Sequence, residues 1–295
     1  MRRCLDHDVS IVLSVPGVDG LGEAVRVLRE WQDDGAPVQL HPGDLGWHWR
    51  FGAEATGAAF RTWSRDGQFL AVGLVDGPGL VRLAIAPEAQ RDEELAAQMV
   101  ADVSQPDRGV LPPGSVSVEA RFGGLFQRLL LDDGWDPDEP WTPLRRDLAE
   151  PVEDCGVQIE VIGPERAQVR VAVQRAAFSG STFTQERWHA MAAGGPYADA
   201  RCLVAYDDRG AAVAAATVWS AGSGRPGLLE PMGVHRDYRG HGYGTAITVA
   251  AAAVLREMGS SSAIVCAGSS NVGAVATYRS AGFQQLPDVP DLRRR

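Results

Sequence analysis

The sequence predicts an α+β (α/β) fold made of two tandem units, each a mixed, mostly antiparallel central sheet flanked by helices. Three observations lead there. Short apolar runs of strand length are joined by Asp- and Gly-containing turns, which is hairpin chemistry. Runs with apolar residues at helical spacing follow them. The same order of strands, turns and helices then recurs about 148 positions later, where Gly282-Phe283 falls on Gly134-Trp135. A chain of 295 residues has room for two such units. The division expected is 1–150 and 151–295, because Pro151, acidic residues and Gly156 read as a linker around Glu150–Asp154.

In the first copy, Val9–Leu13 is a short strand, and Leu21, Val25, Leu28 and Trp31 mark a helix. Pro37–Gly57, rich in Pro, Gly and Trp, reads as a loop. Ala58–Trp63, Gln68–Val75 and Leu80–Ala86 read as strands, turning at Ser64–Gly67 and Asp76–Gly79. Helix Glu93–Val103, strand Ser115–Ala120 and short helix Leu125–Asp132 complete the unit, and Gly134-Trp135 opens another strand.

In the second copy, Gln158–Ile162 matches Val9–Leu13, and Arg201–Tyr206 with Ala212–Trp219 matches the first hairpin. The apolar run Leu228–Val234 leads into Arg239-Gly240-His241-Gly242-Tyr243-Gly244. A helix follows over Thr245–Met258, with Ile247, Ala250, Val254 and Met258 on one face and Gly259 as its stop. Strand Ala263–Ala267, Asn271, a short helix, Tyr278 and Ala281-Gly282-Phe283 close the copy. The basic end, Leu292–Arg295, reads as solvated.

Composition narrows the function. Net charge is -10, and all 28 basic residues are arginine; a GC-rich genome or avoidance of lysine self-modification would produce that. The acidic balance argues against a nucleic-acid binder and suits cationic amines. No apolar run reaches the roughly 20 residues of a membrane span, and Met1–Asp8 turns acidic too early for a signal peptide. Cys4, Cys155, Cys202 and Cys266 are too scattered for a zinc knuckle or a disulfide framework. A reduced, cytoplasmic protein without a metal is expected.

The chemistry concentrates at the glycine loop. Glycines on alternate positions allow close approach of a ligand, and a helix start adds free N–H groups and a positive dipole end. Together they make an anion site, best suited to a pyrophosphate. A dinucleotide-binding α/β fold is excluded, because a hairpin rather than a first strand precedes the loop.

From Gln158 to Phe283 the sequence resembles the GCN5-related N-acetyltransferases, the GNAT family, in its tandem two-domain type. Arg239–Gly244 match the family's Arg/Gln-x-x-Gly-x-Gly/Ala loop, and Asn271, Tyr278 and Gly282-Phe283 match its second motif. The resemblance implies transfer of an acetyl group from acetyl-CoA to a primary amine by direct attack in a ternary complex. It implies cofactor contacts from Met232, Gly233, Val234, Arg239, Gly240, His241, Gly242, Tyr243, Gly244, Thr245 and Asn271. The N–H groups of a splayed strand at Met232–Val234 would polarise the thioester carbonyl. Arg239 adds charge or folds over the loop. Asn271 holds the pantetheine arm or caps the next helix. Tyr278 is the candidate acid for the departing thiolate, with aromatic packing as the alternative. Glu230 is the candidate base, on the face of Met232 and Val234 unless Pro231 breaks the alternation. His235 and His241 have suitable chemistry but flank the phosphate loop.

In the first copy Arg91 stands for Arg239, but Glu94 and Ala96 stand for Gly242 and Gly244, Gly123 for Asn271, and Leu130 for Tyr278. Glu88, Asp92, Glu93 and Glu94 would repel a pyrophosphate there. The first unit is therefore expected not to bind acetyl-CoA and to be structural or to shape the acceptor cleft. Trp47, Trp49 and Trp63 serve either that cleft or the core. Loops Ser179–Pro196 and Trp219–Pro226 are expected to line the pocket. The partner is a small-molecule amine, and the chain a monomer or homodimer. A non-catalytic acyl-CoA-binding module and a protein N-terminal or side-chain acetyltransferase are the competing readings.

Overall fold

The computed structural model describes residues 10–295 apart from Phe122. Val9, Cys4 and the Met1–Asp8 segment, read above as lacking a leader, lie outside the described residues. The first copy runs β1 (Val12–Ser14), α1 (Leu21–Glu30), α2 (Pro42–His48), α3 (Ala53–Ala59), β2 (Phe60–Arg65), β3 (Gln68–Val75) and β4 (Leu80–Ile85). It continues with α4 (Glu93–Ser104), β5 (Val116–Glu119), α5 (Gly124–Asp132) and β6 (Asp136–Asp147). The second copy holds β7 (Gln158–Val161), α6 (Ala167–Ala177), α7 (Gln185–Ala192), β8 (Ala200–Tyr206), β9 (Ala212–Trp219) and β10 (Gly227–Val234). Then come α8 (Tyr243–Glu257), β11 (Ser262–Gly268), α9 (Val272–Ser280), β12 (Gln284–Gln285) and β13 (Val289–Arg294).

Three expectations are corrected. The Pro37–Gly57 loop contains two helices. The His41 ring accepts from the Gly43 amide and Asp44 accepts from the His41 amide, with Pro42 in the first turn, so a capping box starts α2 where glycines alone suggested irregular chain. Gly43 and Gly46 are there for packing: a Cβ on either would sit within 2.5 Å of the Trp219 indole. Likewise Ser179–Pro196 is only partly loop, because Thr184 caps α7 by accepting from the Arg187 amide. The basic end is not simply solvated. It is strand β13, with Leu292 buried and Arg294 donating to the carbonyls of Val103, Ser104 and Pro112.

The strands form a single continuous sheet, ordered β1-β2-β3-β4-β5-β13-β6-β11-β10-β9-β8-β7, with β12 beside β6. It is mostly antiparallel; β4–β5 and β10–β11 are the parallel pairs. The repeat explains the crossover, since β12 and β13 occupy the positions of β6 plus 148 (284 against 136). Each copy's last strand lies in the other copy's half: β13 on β5 (Leu292 opposite Val118) and β6 on β11 (Val265 opposite Leu144). The two halves share a seam rather than touching through loops.

One apolar core, from Leu21 to Trp135 with Leu292, covers the first half. Two more cover opposite faces of the second half, one under α8 and one under α6 and α7. Trp63 is fully buried with its Nε1 donating to Asp102 at 2.9 Å, so it serves the core. Among the described residues no helix is long and apolar enough to cross a membrane.

Candidate active site

Two clefts meet over β10. The first, of about 630 Å³, follows the glycine loop and the start of α8. The second, of about 520 Å³, opens where the two halves meet. Phe178, Met232, Asn271 and Ala274 line both, so the two spaces communicate.

The loop's glycines serve different ends. Gly240 and Gly242 take left-handed φ values of 80° and 84°, which a side chain rarely adopts. Gly244 is a matter of space, since a Cβ there would lie 3.0 Å from Thr277 Cγ2. Helix α8 starts at Gly242 without a side-chain cap, leaving its first N–H groups for a ligand. Arg239 folds back and donates to the Ala177 carbonyl at 2.6 Å, closing the end of α6. Met232, Gly233, Val234, Arg239, Gly240, Gly242, Tyr243, Gly244, Thr245 and Asn271 all line this cleft. His241 does not; it is exposed, with Nδ1 2.9 Å from the Arg239 carbonyl. Asn271 caps α9 by accepting from the Ala274 amide at 3.2 Å while still lining both clefts.

Strand β10 separates from β11 after two registered pairs, Gly227–Ala263 and Leu228–Ile264. Its register with β9 also shifts between Leu229 and Met232, so the simple alternation expected around Pro231 does not hold. The equivalent strand β4 pairs with β3 without a shift. The bulge sets Glu230 in the wall of the second cleft, and Trp219 Nε1 holds its carbonyl at 2.7 Å.

In that second cleft Glu230 and Tyr278 face residues from the first half: Asp76, Arg82, Glu119, Arg121 and Trp141. Sequence reasoning missed all five, because no spacing links them to the loop. One relation was available: Arg82 is Glu230 minus 148 positions, so the repeat places the two at equivalent points. Their side chains approach to 3.8 Å. Arg82 also meets Asp44 at 2.9 Å, Glu119 at 2.9 Å and Asp76 at 3.8 Å. Burial pushes the Glu230 carboxyl up to about 8; Arg82 opposes this, and the Asp44 and Glu119 carboxylates reinforce it. Burial, then Glu230 and Cys266, hold the Tyr278 phenol above its ordinary value, so it keeps its proton. Burial also raises the Cys266 thiol to about 12, which removes it as a nucleophile.

The first half offers a contrast at the matching place. Asp92 accepts from the Leu95 amide at 2.9 Å and so occupies the start of α4 with the protein's own carboxylate. Arg65 pairs with Asp92 at 2.7 Å and with Glu94 at 2.9 Å.

A glycine loop at an uncapped helix start, a strand that parts from its neighbour and a buried phenol beyond the parting come together in this mixed α+β fold. Residues 173–283 match the acetyltransferase (GNAT) family model. The fold likeness extends over both halves. A GCN5-related N-acetyltransferase from Sphaerobacter thermophilus is 21% identical, with 96% of this chain and 95% of that one covered at a TM-score of 0.59. A GNAT-family acetyltransferase from Colwellia psychrerythraea is 16% identical, over 97% and 100% of the two chains, at 0.60. A tandem GNAT protein from the clavulanic acid biosynthesis pathway is 15% identical, over 97% and 98%, at 0.59. No curated protein matches at the level of sequence.

Proposed function

We propose that the protein transfers the acetyl group of acetyl-CoA to the primary amine of a small molecule, by direct attack in a ternary complex. The observation that carries this is the meeting of the two clefts at Met232, with Glu230 and Tyr278 on the side away from the glycine loop. Acetyl-CoA fits the first cleft: the amides of Gly240–Thr245 take the pyrophosphate, and Asn271 reaches the pantetheine arm from its cap position. A cleft of about 520 Å³ is of small-molecule size.

The reaction follows from the residues. A substrate ammonium gives its proton to Glu230, whose raised pKa is close enough to an amine's for the exchange. The neutral nitrogen attacks the carbonyl carbon, forming the C–N bond. Main-chain N–H groups of Met232–Val234, facing the gap left by β11, take the developing oxyanion. The C–S bond breaks, Tyr278 gives its proton to the sulfur, and the second proton of the former amine leaves the nitrogen through solvent and restores the phenol. The 151–295 half does this chemistry. The 1–150 half binds no acetyl-CoA, because Asp92 fills its helix start, and it supplies the far wall of the acceptor cleft.

Calorimetric titration of acetyl-CoA into the full chain tests the assignment. One site per chain, lost in Gly242→Glu, is expected. Two sites would restore the first half as a binder, and none would remove the acyl-transfer reading.

A further inference from the structure

Beyond Phe178 lies a third hollow, of about 250 Å³, walled by Trp47, Arg50 and Phe51 from the first half and Gln174, Phe183 and Arg187 from the second. Phe178 lines this hollow as well as both clefts. The Arg50 guanidinium lies 4.3 Å from the Trp47 ring centroid and 4.2 Å from that of Phe51; Arg187 lies 5.1 Å from Phe51. Aromatic faces fix both cations without cancelling their charge. Among the described residues neither pairs with a carboxylate. Arg50 donates to the Trp47 carbonyl at 2.7 Å and Arg187 to the Thr182 carbonyl at 3.0 Å.

A third guanidinium stands behind the wall. Arg170 is fully buried and its Nε has no partner. Its Nη1 donates to Gln174 Oε1 at 2.8 Å. A guanidinium can only donate, so Gln174 must turn its carbonyl to Arg170, leaving its NH₂ for the hollow it lines. The feature is unusual in a chain of net charge -10: three half-buried or buried cations, none of them ion-paired among the described residues, with the Asp76 and Glu230 carboxylates acting on Arg50 only from beyond ion-pair distance. Burial pushes Arg50 down to about 10, with Asp76 and Glu230 opposing and Arg187 adding to the effect.

We infer that this hollow binds an anionic group, a carboxylate or a phosphate, on the far end of the acceptor whose amine reaches Glu230. The acceptor is then an amine that carries its own anion, held by the forks of Arg50 and Arg187 and by the Gln174 amide. Phe178 lies between the two ends. This rests on the acyl-transfer reading and adds the substrate class.

The test is release of coenzyme A thiol from acetyl-CoA with a matched panel: free amino acids against their decarboxylated amines, and O-phosphoethanolamine against ethanolamine. At least one anionic member should exceed its plain partner by about tenfold or more in kcat/KM, and which pair shows the gap tells carboxylate from phosphate. Arg50→Gln and Arg187→Gln should lower that value by about tenfold or more, mainly through KM, with Arg187→Lys intermediate. Melting of each variant and its unchanged affinity for acetyl-CoA confirm the fold. Plain amines acetylated equally well or better, or no acetylation of any member, would overturn the subsite. So would weaker acetyl-CoA binding in either variant, which would assign the arginines to the coenzyme's phosphates. If acetyl-CoA itself fails to bind the wild-type chain, the acyl-transfer reading falls with it.

Discussion

At the residue scale the proposed mechanism rests on two groups with opposite protonation demands. Tyr278 must keep its proton until sulfur leaves, and burial ensures that it does. Tyr278→Phe should lower kcat by about 100-fold while acetyl-CoA affinity stays unchanged; full turnover would reduce Tyr278 to packing against Phe283. Glu230 must lose its proton, and its raised pKa sets the direction of the pH effect. Below about 8 the carboxyl is protonated and cannot accept, so turnover should climb as pH rises through that value. In Glu230→Gln that rising limb should vanish with most of the activity; an unchanged profile would exclude Glu230 as base. Both residues were legible as candidates, Tyr278 through its motif and Glu230 through its place on the strand before the loop, and the structure brings both to one cleft. Arg82, Asp76, Glu119 and Arg121 were not, because their meaning comes from a seam that no local spacing records.

At the scale of elements, α8 and α4 differ in what fills their N-terminal turns. Gly242 and open amides stand at one, and a capping Asp92 at the other. Gly242→Glu should cut acetyl-CoA affinity by about 100-fold or more, since it adds both a side chain at positive φ and a carboxylate at the anion site. Wild-type affinity on titration would sink the loop assignment. The loop, α8, β11 and α9 were readable because their glycines, asparagine cap and apolar face are local signals. Helix α2 was hidden because its cap is a histidine ring and its glycines answer to Trp219, a residue of the other half. Gly46→Val should clash with that indole and destabilise the fold by about 1–3 kcal/mol, seen as a lower melting temperature. An unchanged melting temperature would mean that the seam gives way freely.

At the scale of the molecule, the repeat showed two copies but not their exchange of strands. Nothing in the strand pattern of β6 or β13 says which neighbour it joins, and the basic end of the chain masks Leu292. The seam also decides where the second cleft lies: β4, β5 and β6 from one half face β10, β11 and α9 from the other. Residues 151–295 made alone would leave the β6 side of β11 bare, with its ladder donors and acceptors unpaired. That fragment is expected to aggregate or melt without cooperativity, in contrast to the whole chain on calorimetric melting. Independent two-state folding of the fragment would show that the exchange is dispensable.

The position of β13 has a consequence for how the protein is made. Strand β5 cannot gain its second neighbour until residue 294 has left the ribosome, although its first neighbour, β4, emerged long before. The earlier half must wait with an open edge through the synthesis of the later one, so the two halves reach their final state together. Proteolysis or stalled synthesis that costs the chain β13 would therefore damage the half that was translated first.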